Sequence, residues 1–389
     1  FAKFTKQKSN FSELWEKFEE FKTTQSYWLN DFVLFFTLKK EHEMKSWLEW
    51  PKNYSQRQDN ALKIHAAMQK KKLEYYKFIQ WLFDFQWKQL KSYANSKGIE
   101  IVGDMPIFVA QDSADVWCNR DLFTLKEDGT LKYQAGVPPD YFSKKGQLWG
   151  NPLYKWEKFE ENDFRWFIQR ISRTLETVDW MRIDHFRGFE AYWRIKGDAE
   201  DAIKGEWVKA PGKKLFEKVK DELGELPIIA EDLGLITEEV EMLREDFNFP
   251  GMKVLQFAFS ESSKNPHLPH NYDKNSVVYP GTHDNDTIKG WWENALTEEQ
   301  KKQAKDYLRI QNDHLNKAII KELFKSIANG VVVQMQDLLD QGREYRMNTP
   351  SEAEGNWQYI TEVDKMDDDL IKWLKSVLKL YGRTSTQEN

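Results

Sequence analysis

The feature that most constrains this chain is a series of short apolar runs from residue 99 onward. They are IEIVGD from Ile99, VDWMRID from Val178, PIIAED from Pro227, MKVLQFAF from Met252, SVVYPGTHD from Ser276 and VVVQMQD from Val331. The segment before each run typically reads as an amphipathic helix that ends near Gly or another breaker. Strands alternating with helices predict a parallel sheet covered by helices. Four runs (IEIVGD, VDWMRID, PIIAED and VVVQMQD) end directly in an acid, and SVVYPGTHD reaches one through a short turn. In a (β/α)8 barrel, functional side chains gather where the strands exit at the C-terminal face. A doubly wound sheet would also put ligands at strand ends, but it would usually carry a Gly-rich phosphate turn, and none is present. The fold predicted is therefore α/β, a (β/α)8 TIM-type barrel.

A barrel needs eight strands and six are legible. Residues 11–97 read as helices: Leu14, Phe18 and Phe21 form one stripe, a second pattern runs through Ile79, Leu82, Phe83 and Leu90, and Gly98 supplies a stop. The two remaining strands are expected to precede Phe1, since the chain does not begin with Met. The organisation predicted is a mainly helical subdomain with a barrel helix over 1–97, then barrel strands three to eight over 98–389, closed by an amphipathic helix from about Asp364 to Tyr381. One stretch has no regular period. AGVPPDYFSKKGQLWGNP, residues 135–152, is rich in Gly and Pro yet holds Tyr141, Phe142 and Trp149. Disordered segments are poor in aromatics, so it is read as an ordered binding loop or lid.

Composition excludes several functions. With 389 residues, 40% hydrophobic and 31% charged, the chain can bury a sizeable core. A net charge of -6 without a Lys/Arg-rich block argues against a nucleic-acid partner. No apolar run is long enough to span a membrane. The single cysteine, Cys118, rules out an intrachain disulfide framework and fits a reducing compartment, so a cytoplasmic location is expected. Asp and His side chains could hold a metal, but His42-Glu43 lacks the second His of HExxH and no Cys/His spacing resembles a zinc site.

The strand ends carry the chemistry. In MRIDHFRGF, strand alternation points Arg182 and Asp184 to the same side. A guanidinium favours the ionised carboxylate that a nucleophile requires, although an ion pair that merely locks the fold would look the same. In PIIAEDLG, Glu231 follows an unbroken apolar run, and desolvation there would keep it protonated as a general acid. A capping or salt-bridged acid is the plainer reading. GTHDNDT adds His283 beside Asp284. One acid held ionised, one held protonated and a third beside a histidine form the set expected for retaining cleavage of a glycosidic bond.

The pieces GDMPIFV, AGVPPDYFSKKGQLWGNPLY, MRIDHFRGFEAYW, IIAEDLG, FPGMKVLQFAF, GTHDNDT and EGNW resemble, in order, the 4-α-glucanotransferases (amylomaltases or disproportionating enzymes) of glycoside hydrolase family 77. An α-amylase typically carries Asn-His after its third strand, whereas Met105 and Pro106 follow Asp104 here. The resemblance implies Asp184 as nucleophile, Glu231 as acid/base and Asp284 as transition-state stabiliser, with Arg182, His283 and Asp104 around the same sugar ring. It implies that Trp149 and Tyr141 stack on or close over the sugar chain, with Gln147 and His185 nearby. It also implies transfer of α-1,4-glucan segments between malto-oligosaccharides with no cofactor and no metal. The alternatives are net hydrolysis in the manner of an α-amylase, or a carbohydrate-binding fragment left inactive by the missing strands.

Overall fold

Each of the six apolar runs contributes a strand in the computed structural model, which describes residues 1–6, 8–139, 143–259, 262–310, 314–350, 352, 354–361 and 363–384. In chain order the strands are β1 (Val102–Pro106), β2 (Tyr133–Val137), β3 (Gln147–Pro152), β4 (Trp180–Asp184), β5 (Ala191–Lys196), β6 (Gly205–Lys209), β7 (Ile228–Ala230), β8 (Gly251–Val254), β9 (Ser276–Tyr279) and β10 (Gly330–Val331). The sequence runs correspond to β1, β4, β7, β8, β9 and β10. Backbone contacts divide the chain into two units, Phe1–Ile228 with Thr237–Leu243, and Ile229–Ile236 with Arg244–Asn389.

In the first unit β1 runs parallel to β4, with Asp104 opposite Arg182 and Pro106 opposite Asp184. Burial alternates along β4: Met181 and Ile183 are fully buried, while Trp180, Arg182 and Asp184 face the other side. This period of two is what a pleated strand imposes. The long helix Lys70–Ser96 lies in the same unit as these strands. Polar contacts tie it there. Trp87 donates to the Thr177 carbonyl at 2.7 Å, Lys91 pairs with Asp179 at 2.6 Å, and Arg173 pairs with Asp84 at 2.6 Å. On its other side Phe78 and Trp81 pack with Phe18, Phe21, Leu29 and Val33. Each such buried side chain contributes about 1.5–3 kcal/mol. Of the apolar pattern read in this helix, Ile79, Phe83 and Leu90 are instead exposed, because the buried stripe is the one centred on Phe78 and Trp81.

The stretch 135–152 is not irregular. It holds most of β2 and all of β3, which pair antiparallel and join β5 and β6 in a four-stranded sheet of order β3-β2-β5-β6. The strand period is hidden by a register shift between Gln134 and Gly136. Gly136 is required at that point, since a Cβ would lie 2.0 Å from the Gln147 carbonyl oxygen. Pro138 and Pro139 then end the strand, lacking the N–H that pairing needs. Tyr141 and Phe142 lie outside the described residues.

In the second unit β8, β9 and β10 are parallel neighbours in the order β10-β9-β8. Their core joins Leu255, Val278, Ile288, Trp291, Ile319, Ile320 and Leu323. The helix Asp368–Leu380 is capped by Asp367, whose carboxylate accepts from the Leu370 N–H at 2.8 Å, and it packs Trp373 against that core. Among the described residues no helix is long and apolar enough to cross a membrane.

Candidate active site

The first unit brings Asp104, Arg182 and Asp184 together at the ends of β1 and β4. The Arg182 guanidinium donates to Asp184 Oδ1 at 2.8 Å and to Asp104 Oδ2 through its other terminal nitrogen. Strand register explains this fork, because Arg182 lies beside Asp104 across the parallel pair and two residues from Asp184 along its own strand. Only 11% of the Arg182 side chain is exposed, against 45% of Asp104 and 46% of Asp184. The cation is thus shielded while nearly half of each carboxylate side chain is exposed. A planar guanidinium holds two carboxylates in fixed directions, which a lysine cannot do.

His185 follows immediately in the left-handed region, at φ 54°. That turn carries its ring edge-on against Trp149, with centroids 4.7 Å apart and planes at 87°. Desolvation, and then the nearby Arg187 charge, push its pKa down to about 3. The imidazole is therefore neutral across ordinary pH and serves as a dipole, not a cation. Trp149 Nε1 donates to Gln147 Oε1 at 3.1 Å, so both side chains stand on β3 near His185. Gly188, in the same HFRGF segment, is close-packed: a Cβ there would come within 2.8 Å of Ile107 Cδ1.

In the second unit Glu231 follows β7 and is buried, with 9% of the residue exposed. Its Oε1 accepts from the Leu233 N–H at 2.9 Å. Burial raises the cost of charging this carboxyl, whereas the amide hydrogen bond favours charge. Asp232 beside it is structural, accepting from the Met252 N–H at 2.7 Å and lying 3.4 Å from Arg244.

Asp284 stands in the turn after β9. His283 Nε2 lies 3.3 Å from Asp284 Oδ2, Asn348 Nδ2 donates to Oδ1 at 2.6 Å, and Arg346 donates to the Asp284 backbone carbonyl at 2.5 Å. The turn itself is braced on every side. Asn285 Oδ1 accepts from the Thr282 N–H and hydroxyl, and Gln334 donates to the Gly281 and Thr282 carbonyls at 2.9 and 2.7 Å. Asp337 Oδ1 accepts from the Ile288 N–H at 2.7 Å, at the start of the helix Ile288–Asn294. Asp337 is fully buried, and burial first, then the charges of Asp286 and Asp340, raise its pKa to about 7 against the opposing amide bond.

Asp104 and Asp184 are nearly half-exposed beside Arg182, Asp284 is partly exposed beside His283 and Asn348, and Glu231 is buried; carboxylates next to such donors are the groups that acid/base and nucleophilic chemistry uses. Comparisons with known proteins give the family. The family model for 4-alpha-glucanotransferase matches residues 1–364. The chain belongs to the 4-α-glucanotransferases of glycoside hydrolase family 77. The Clostridium butyricum 4-alpha-glucanotransferase is 42% identical over 370 residues, covering 95% of this chain and 76% of that protein. The Synechocystis protein of the same description is 46% identical over 371 residues, covering 95% and 74%. Among solved structures, the amylomaltase from Streptococcus agalactiae in complex with acarbose superposes with a TM-score of 0.93 at 40% identity, covering 98% of this chain and 77% of that one. The activity is that of a 4-α-glucanotransferase, a glycosyltransferase acting on α-glucans in starch and glycogen metabolism.

The sequence reading omitted Arg346 and Asn348, which the structure brings to Asp284. It quoted EGNW without assigning Trp357, whose ring lies 5.1 Å from that of His283. VVVQMQD did end on Asp337, yet that acid is buried in a structural bond and is not open at a strand end.

Proposed function

We propose that the glucan transfer proceeds by a retaining double displacement between malto-oligosaccharides, on strands that belong to a (β/α)8 barrel. Six strands that alternate with helices and pair parallel wherever their register is defined support the barrel. Asp184 attacks the anomeric carbon of the donor as Glu231 gives its proton to the departing 4-oxygen, so the C–O bond of the donor breaks as the ester to Asp184 forms. Glu231, now ionised, takes the proton of the acceptor's 4-hydroxyl. That oxygen displaces Asp184 and restores an α-1,4 bond. Asp284 and His283 steady the sugar hydroxyls as positive charge develops on the ring. The observation that carries this reading is the Arg182 fork. It fixes Asp184 with one oxygen engaged and nearly half of the side chain open, as a poised carboxylate nucleophile requires.

Transfer must outcompete water at about 55 M, which demands a bound acceptor of far higher effective concentration. In this reading Trp149, Gln147 and His185 supply the sugar-facing surface, with Tyr141 as the family resemblance implies, and the hairpin carrying Gln147 and Trp149 excludes water. The edge-on contact of Trp149 with the residue following Asp184 supports it. The test is incubation with pure maltotriose and separation of products by size. Glucose with a ladder of longer malto-oligosaccharides is expected. Glucose and maltose alone would show hydrolysis, and unchanged maltotriose would refute the substrate.

A further inference from the structure

The segment after β10 folds back on the Asp284 turn through a closed set of hydrogen bonds. One guanidinium, that of Arg346, donates through Nη2 to the Asp284 carbonyl and through Nε to the Asn348 carbonyl at 2.8 Å. It thereby fixes the backbone of both residues. Asn348 then presents its amide to Asp284 Oδ1, while His283 stands at Oδ2. The bracket is braced from behind. Asn356 Oδ1 accepts from the Thr349 N–H at 2.9 Å, its amide donates to the Glu352 carbonyl at 2.8 Å, and the Trp357 N–H donates to the Met347 carbonyl at 2.8 Å.

We propose that Arg346 and Asn348 are positioning residues for the reaction: the Asn348 amide, held by Arg346, sets the direction of the Asp284 carboxylate. This rests on the reading of Asp284 as the transition-state stabiliser. An isolated surface carboxylate has two soft torsions and can turn away from a ligand. With one oxygen held at 2.6 Å by an amide whose own backbone is clamped, the other oxygen is committed to one direction. The Asn348 amide can donate but carries no charge, so it orients the carboxylate without neutralising it as a second arginine would. A donor of this kind, bonded to a charged group, corresponds to about a 10- to 100-fold effect on rate.

The experiment measures kcat and KM for maltotriose disproportionation in Asn348→Ala, Asn348→Asp and Asp284→Asn, with thermal midpoints as a check on folding. Asn348→Ala and Asn348→Asp should each lower kcat about 10- to 100-fold while KM stays within about threefold. Asn348→Asp keeps the shape of the side chain and remains informative if the alanine variant folds poorly. Its introduced carboxyl regains a donor on protonation, so its kcat relative to the parent should rise as pH falls from about 8 to about 5. A ratio that is flat with pH, or a kcat unchanged in both variants, would overturn the inference. If Asp284→Asn itself keeps parental kcat, the underlying reading fails. If it is inactive and the Asn348 variants are not impaired, only the positioning role fails.

Discussion

Asp184 and Asp284 are held in opposite ways. Asp184 is set by a neighbour two positions away on its own strand and by the register of the next strand. Asp284 is set by side chains far along the sequence: Asn348 at a separation of 64 residues and Arg346 at 62, while Gln334 braces the same turn at Thr282, 52 residues away. The first arrangement is as rigid as a pleated strand. The second depends on a distant segment folding back, and it gives that segment control over the carboxylate. The comparison teaches that the two acids, though both at strand ends, should respond differently to changes far from them in sequence.

The largest effect should come from the acid itself. Asp184→Asn is expected to lower kcat by at least about 10⁴-fold, because no ester can form, while leaving maltotriose affinity within a few-fold by calorimetry. Substantial turnover in that variant would remove Asp184 from the centre of the first region. Next, Asp337 sharpens the contrast through stability. Its pKa is raised to about 7, so the folded chain binds more protons than the unfolded one between the ordinary carboxyl value and about 7. Stability contributed by this group is therefore highest in acid and declines as pH rises through that window, by up to roughly 4 kcal/mol. Asp337→Asn should flatten the fall of the melting midpoint between pH 5 and pH 8. An undiminished fall would show that another group carries it.

Arg182→Lys tests the local side. A single ammonium cannot serve Asp104 and Asp184 at once, so a loss of about 10²-fold or more in kcat is expected, with the fold unchanged by circular dichroism. A variant as active as the parent would mean that strand geometry alone suffices. The smallest effect is expected at Trp149. Trp149→Ala should weaken sugar binding about tenfold and raise the proportion of free glucose and maltose among products, as water gains access. An unchanged ratio of transfer to hydrolysis would detach β3 from water exclusion.

This difference also explains what was legible in the sequence. MRID exposes its pairing to inspection, because alternation puts Arg182 and Asp184 on one face, and acids ending apolar runs marked the strands of the parallel sheets. The sheet β3-β2-β5-β6 was not legible. Its first hairpin is masked by a register shift at Gly136, and its residues alternate too irregularly to read as strands. Asn348 and Arg346 sit in RMNTP, a segment without period or apolar run, and only the fold reveals that they reach Asp284. Asp337 shows the limit of strand-end reasoning, since an acid after an apolar run can equally be a buried cap for a helix amide.

The most direct test of the central claim is to trap the glycosyl-enzyme. Glu231→Gln, incubated with α-maltosyl fluoride, has a donor whose leaving group needs no proton but lacks the base that would activate an acceptor. Intact mass followed by peptide mapping should show one maltosyl adduct, on the peptide containing Trp180–Asp184 and at Asp184. An adduct on another carboxylate, or release of product without any adduct and with inverted anomeric configuration, would contradict it.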